Sequence, residues 1–327
     1  MQTPLKGLFG VRAVLWSLGI VAVLAMSTYF GLQLAISRNG PAVLSNIDRI
    51  TGGTNGAGVA AAAPTGAHEQ QKLIVWAPMD RDAKADPLPV LVFVHGGSWR
   101  TGDPADYGFI GRSFVPKGFV VVLGGYRLEG DGAYPNMLED TASVVAWTHQ
   151  EIAKYGGDPD RITLAGHSAG AYNVAMVGLE PRWLKKHAMS PADIAGIIGI
   201  SGPYDFFPFD SDSTKGAFGD APDPQKTQPI NHVSGDAPPM LLIHGEQDDL
   251  VGMHNTKTLA KLVEQAGGSA TTQFYADMNH NDPLISLASP WRSRRDLDDA
   301  IVEFASSARI KATKRQPSSG PVNSRSR

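Results

Sequence analysis

The 327-residue chain contains no cysteine. Disulfides, thiolate metal ligands, cysteine nucleophiles and iron–sulfur clusters are excluded together. The same absence leaves the redox compartment open. There is no basic excess either. The 29 Lys and Arg face 32 Asp and Glu, for a formal net charge of −3, so no nucleic-acid partner is expected. No histidine pair has the spacing of a helical zinc site, and neither a metal nor a cofactor is expected. With 36 glycines and 23 prolines, many turns are expected and long helical bundles are disfavoured. What is present, 42% hydrophobic and 19% charged residues, is an ordinary globular composition for one large domain or two small ones.

Four segments are expected. In residues 1–38, Lys6 and Arg12 precede an uncharged apolar run from Ala13 to Ser37. Roughly 24 helical residues cover about 36 Å, enough to cross a bilayer with some tilt. The reading is a single N-terminal membrane anchor with the catalytic domain outside the cytoplasm. The alternatives are a cleaved signal, hence a secreted protein, or a buried helix. Residues 39–67, with GGTNGAGVAAAAPTG, read as a flexible linker. Residues 309–327 carry six basic and no acidic residues among Pro, Ser and Gly and are expected to be a disordered tail.

Between them, residues 68–308 alternate apolar β-branched runs with helical patterns. The runs are Leu73–Trp76, Val90–Val94, Phe119–Leu123, Ile162–Ala165, Ile194–Ile200, Met240–Ile243 and Thr272–Tyr275. The best helical patterns are Met137–Tyr155, Ala169–Leu179, Thr256–Gln265 and Arg295–Ser306. The pattern predicts an α/β fold, a mostly parallel central sheet with helices on both faces. Chemistry in such sheets sits at the C-terminal ends of the strands.

One such end carries Gly166-His167-Ser168-Ala169-Gly170, a G-x-S-x-G turn leading into a helix. The glycines permit the strained turn that lifts a serine hydroxyl clear of the sheet. Another carries His95-Gly96-Gly97-Ser98-Trp99. Acyl transfer builds an oxyanion that needs fixed N–H donors, and the candidates are the amides of Gly97, Ser98 and Ala169. His95, upstream of the serine, reads as a brace for this loop. A serine nucleophile also needs a base and an acid that orients it. Asp248 follows the strand Met240–Ile243, with Asp249 as the weaker alternative. His280 lies 32 residues further on, past the next strand.

In these segments the chain resembles the α/β-hydrolase superfamily, and more narrowly the esterase/lipase group that shares HGGxW with kynurenine formamidases and bacterial feruloyl-esterase-like domains. The match is carried by HGGSW at His95–Trp99, GGDPDRI at Gly156–Ile162, GHSAGAYN at Gly166–Asn173, HGEQDDLV at His244–Val251 and the His280 loop, with GPYDF at Gly202–Phe206 and TQPINHV at Thr227–Val233 also familial. It covers roughly Gln70 to Ala305. The resemblance implies a triad of Ser168, Asp248 and His280, oxyanion amides in the HGGSW loop, and a small cap over Ser201–Pro239, between core strands 6 and 7. In one departure, Gly124-Gly125-Tyr126-Arg127 lacks the Asp that often precedes Tyr-Arg.

Specificity is less legible. Trp99, Phe206 and Phe207 are candidates for the substrate pocket, and Phe206 and Phe207 serve equally well as pins for the cap loop. No long apolar lid helix is visible, so short or medium acyl chains are expected. The expected function is a serine carboxylesterase acting on a small-molecule ester. The alternatives are an arylformamidase using the same triad and a catalytically inactive, membrane-anchored binding module. The sequence says nothing about oligomeric state.

Overall fold

The structure is a computed structural model that describes residues 6–54, 56–82, 84–292 and 295–308, with residues 6–15 and 17–23 described by their backbone alone. The basic tail 309–327 lies outside the described residues. Eight strands form one sheet: β1 (Ala57–Pro64), β2 (Lys72–Pro78), β3 (Leu88–Val94), β4 (Val120–Gly124), β5 (Gly157–His167), β6 (Gly196–Ile200), β7 (Met240–Gly245) and β8 (Ala270–Tyr275). Their spatial order is β1-β2-β4-β3-β5-β6-β7-β8. From β4 to β8 the pairs are parallel, while β2 runs antiparallel to both β4 and β1. The helices are α1 (Lys6–Gly52), α2 (Gly108–Phe114), α3 (Asn136–Glu151), α4 (Ala169–Leu179), α5 (Arg182–Lys185), α6 (Asp212–Phe218), α7 (His254–Gln265), α8 (Asp282–Ile285) and α9 (Leu297–Ser307). All seven apolar runs read from the sequence coincide with strands.

The period-2 alternation of each strand sorts its residues between two cores. Val90, Val92 and Val94 pack with Leu138 and Val145 of α3, Val174 of α4 and Leu259 of α7. Leu91 and Phe93 pack on the opposite face with Phe109 of α2 and Ile301 of α9. Both faces are therefore buried, which is why these strands read as unbroken apolar runs rather than alternating ones. The result is the α/β-hydrolase fold, with the strand ends of β3, β5, β7 and β8 meeting along one edge.

The N-terminal segments differ from their expected forms. Residues 39–67 are not a flexible linker. They include the last turns of α1 and the edge strand β1, which pairs antiparallel with β2 from Ala57↔Pro78 to Pro64↔Lys72 with one register shift between Val59 and Ala61. Alanine has little strand propensity, so local composition points to a linker. The open edge of β2 supplies the partner that composition cannot reveal. The helix α1 kinks at Asn39 (φ −155°, ψ 80°), two residues before Pro41, whose ring removes an amide donor and clashes with the preceding turn. Asn39 caps the second half: its Oδ1 accepts the Ala42 amide at 3.1 Å, and its Nδ2 donates to Asp106 at 2.7 Å.

The second half of α1 is bolted to the domain by a buried charge cluster. Asp48 is fully buried. One carboxylate oxygen accepts Arg112 Nε at 2.6 Å. The other accepts the Ser289 amide at 2.7 Å and Arg292 Nη2 at 2.8 Å. Arg112 continues to the Ser45 carbonyl and hydroxyl. Three donors fully satisfy the carboxylate, which is the condition under which a buried charge is tolerated.

Among the described residues no helix is long and apolar enough to cross a membrane. The expected anchor therefore finds no support there, and ten residues of its apolar run, 13–15 and 17–23, have no described side chains. Asp48→Ala takes the carboxylate away from the buried Arg112 and the partly buried Arg292. It is expected to cost about 3–5 kcal/mol, read as a lowered denaturation midpoint at unchanged slope in urea.

Candidate active site

The turn after β5 enters α4 at Ser168, whose φ of 54° and ψ of −121° lie outside the ordinary regions for a side-chain-bearing residue. Such a backbone costs on the order of 1–3 kcal/mol and persists only where its surroundings hold it. Here the Ser168 amide donates to the Ile200 carbonyl of β6 at 2.8 Å, and two glycines make the turn sterically possible. A Cβ on Gly166 would lie 2.4 Å from the Gly170 carbonyl carbon, and one on Gly170 would lie 2.1 Å from the Val94 carbonyl oxygen. The second contact presses the start of α4 against the end of β3. The loop after β3 thereby lies beside the serine.

That loop turns sharply. Gly97, Ser98 and Trp99 all have positive φ (110°, 55° and 58°), and a Cβ on Gly97 would overlap the Thr101 carbonyl. The Gly97, Ser98 and Ala169 amides meet no acceptor among the described residues, and the Ala169 amide belongs to a first helical turn, which has no intrahelical partner. His95 braces the loop from below. It is buried, stacks on Tyr126 with ring centroids 4.5 Å apart, and donates through Nδ1 to the Gly96 carbonyl at 2.7 Å. Burial drives its pKa down to about 4.

The ends of β7 and β8 supply the remaining groups. His280 Nε2 lies 2.9 Å from Ser168 Oγ, and His280 Nδ1 lies 2.8 Å from Asp248 Oδ2. A carboxylate can only accept, so Nδ1 carries the proton and Nε2 faces the serine hydroxyl as an acceptor. Asp248 is buried and Asp249 is exposed. The other Asp248 oxygen accepts the amides of Leu250 and Val251 at 3.0 and 2.8 Å. Burial pushes the Asp248 carboxyl up. Hydrogen bonds from His244, His280 and the Val251 amide outweigh it and hold the group well below the ordinary carboxylate range.

Two further histidines, read as bland or not singled out from the sequence, complete the layer. His244 lies beneath the acid. Its Nε2 donates to the Val251 carbonyl at 2.8 Å and stands 3.3 Å from Asp248, while Nδ1 accepts from Thr256. His167, the variable residue of the G-x-S-x-G turn, donates from Nε2 to the His280 carbonyl at 2.9 Å. Burial, with the neighbouring His280 as a smaller cause, lowers its pKa to about 3. Its place inside the motif is the signal that points to it.

Two cavities open onto Ser168. The cap-side cavity, about 450 Å3, is lined by Ser98, Trp99, Phe206, Phe207, Leu250 and cap polar residues. Phe206 is half-buried and Phe207 exposed. Trp99, by contrast, is 4% exposed. It packs against Tyr172, Phe206 and Phe218 and donates Nε1 to Asn173, so it stiffens the cavity floor more than it presents a free face. The second cavity, about 320 Å3, is lined by Ser168, His280 and Thr101, and also by Ser37–Pro41 of α1. Sequence reading assigned no role to those residues, because nothing local ties a chain segment to a site more than a hundred residues away.

A family model, BD-FAE, matches residues 78–263. The chain belongs to the BD-FAE family. The match to this family of α/β-hydrolase esterases covers the strand ends that carry Ser168, Gly96 and Gly97; His280 lies beyond the matched residues. Esterase LipQ of Mycobacterium tuberculosis is 29% identical over 233 residues, 66% of this chain and 54% of that protein. A probable isoprenylcysteine alpha-carbonyl methylesterase of Arabidopsis thaliana is 28% identical over 233 residues, 64% of this chain and 48% of that protein. The chain thus spans about half the length of the curated relatives it matches. Among solved structures, a truncated carbohydrate esterase from gut microbiota superposes with a TM-score of 0.65 at 19% identity, covering 76% of this chain and 97% of that one. A thermostable esterase from Pseudomonas putida gives 0.64 at 22%, covering 82% and 88%. At these identities the structures show the shared fold.

The buried histidines make stability depend on pH. Unfolded histidine takes up a proton near pH 6.5, and folded His95 resists it down to about 4. Stability is therefore complete above 6.5 and is lost as the pH falls toward 4, by about 3 kcal/mol for this residue. His95→Gln should flatten the slope of unfolding free energy between pH 6.5 and 4. An unchanged slope would contradict the assignment.

Proposed function

We propose that the protein is a serine carboxylesterase. Ser168 is the nucleophile, His280 the general base and then acid, and Asp248 the group that orients His280. The observation that carries this reading is the unbroken Ser168–His280–Asp248 hydrogen-bond chain at 2.9 and 2.8 Å, beside loop amides that have no acceptor among the described residues.

In this mechanism Ser168 Oγ attacks the ester carbonyl carbon as His280 Nε2 takes its proton. The carbonyl π electrons move onto oxygen, and the resulting oxyanion is met by the Gly97, Ser98 and Ala169 amides. Collapse breaks the bond to the alcohol oxygen, which leaves with the proton from His280. Water then attacks the acyl-enzyme, with His280 again taking and returning the proton, and the acid departs. Asp248 stabilises the imidazolium in both halves. Its depressed pKa keeps it ionised throughout the working range. The cap-side cavity, floored by Trp99 and flanked by Phe206 and Phe207, suits a short or medium acyl group.

Two measurements test the reading. Ser168→Ala should abolish p-nitrophenyl butyrate hydrolysis by about 10³-fold or more and should prevent labelling by a fluorophosphonate. Retained turnover would refute the nucleophile. Asp248→Asn should lower kcat by about 10⁴-fold, because the wrong imidazole tautomer then faces the serine, while Asp249→Asn leaves it within about twofold. Equal effects of the two would refute the assignment of the acid.

A further inference from the structure

A third cavity, about 420 Å3, lies between the second half of α1 and the segment that follows His280. Its walls include Ile36, Val43, Ile47, Ile285 and Trp291, and no charged side chain lines it. It shares Gly40, Pro41, Asn281 and Leu284 with the 320 Å3 cavity that contains Ser168. The two therefore adjoin at these four residues. The polar part lies at the serine and the apolar part lies beyond Pro41.

This adjacency depends on the features that hold α1 in place. The Asn39 kink turns the helix across the mouth of the site, and the Asp48 cluster keeps the following turns against the domain. On the other side of the kink, Leu32, Leu34 and Ile36 are exposed and prolong the apolar surface away from the groove. A ligand that fits this arrangement is polar at one end and apolar along its length, with its ester group at Ser168.

We propose that the groove between α1 and α8 is a subsite for the hydrocarbon chain of an amphiphilic ester. The inference rests on the esterase reading above, and it adds a chain site opposite the cap-side cavity. Substrates with a short or medium group on the cap side then carry a longer apolar chain on the α1 side. Each methylene removed from water strengthens binding by about fourfold, so a filled groove discriminates strongly by length.

Gly40 offers a direct probe. A Cβ there meets nothing within 4 Å, so Gly40→Leu adds a side chain without a backbone clash at a residue that lines both cavities. Val43→Trp fills the apolar part from another position. With the full-length chain, kcat/KM is measured for p-nitrophenyl acetate, octanoate and dodecanoate, and for the acetates of butanol and dodecanol. The native protein should favour the long member of one series by at least tenfold, and both variants should reduce that long-to-short ratio by tenfold or more.

Calorimetric titration with laurate and butyrate gives a readout that needs no turnover. The native chain and Ser168→Ala should bind laurate more tightly, and Val43→Trp should lose that preference. A ratio within twofold of native in both folded variants, with laurate binding unchanged, overturns the subsite. Absence of ester turnover with laurate binding intact and lost in Val43→Trp overturns the esterase reading and leaves the subsite supported.

Discussion

The site depends on a close approach that only glycine allows. The start of α4 lies against the end of β3 because Gly170 has no side chain to strike the Val94 carbonyl, and the strand–helix turn closes because Gly166 has none to strike Gly170. Gly96 repeats the condition from the other side, since a Cβ there would lie 2.9 Å from the His167 carbonyl. Two strand ends and one helix start are thus held closer than side chains permit. The strained Ser168 backbone and the oxyanion-type loop follow from that contact. Their strain is supported by the sheet, chiefly through the hydrogen bond to Ile200.

Around this point the polar groups are organised by histidines with different tasks. His280 is placed between acid and serine. The others are buried, and each spends an N–H on a backbone carbonyl: His95 on Gly96, His167 on His280 and His244 on Val251. Burial lowers the pKa of His95 and His167 far enough that neither competes as a base. The same burial makes them useful braces, because a neutral imidazole fixes a loop without bringing a buried charge. His167 links the Ser168 turn to the His280 loop directly, so His280 is held by the residue next to the serine it faces.

The N-terminal helix belongs to this arrangement as well. Asp48 accepts from two arginines and a backbone amide drawn from α2 and from the loop before α9. The kink at Asn39 then lays residues 37–41 along the cavity that contains Ser168. The wall of the site opposite the cap is built by a segment whose local sequence resembles a tether. The four core helices and all seven apolar strands were legible because each signals itself within a few residues, by period or by β-branched runs. The edge strand was not, since Ala57–Pro64 is ordered by pairing with β2 rather than by its own preferences.

Sequence by itself determined the layered α/β fold and singled out Ser168, Asp248, His280 and the glycines around them as candidates at its strand ends, with Asp249 left beside Asp248. Those features depend on local periodicity and on residue types that few other roles require. Tertiary structure distinguished Asp248 from Asp249 by burying the first carboxylate against His280 and two amides and exposing the second. It placed Trp99 in the floor of the cap-side cavity, gave His167 and His244 their partners, and brought Ser37–Pro41 to the serine. The Trp99, His167 and Ser37–Pro41 contacts join residues far apart in the chain, set by the packing of the sheet and its helices, and no short window of sequence contains both partners.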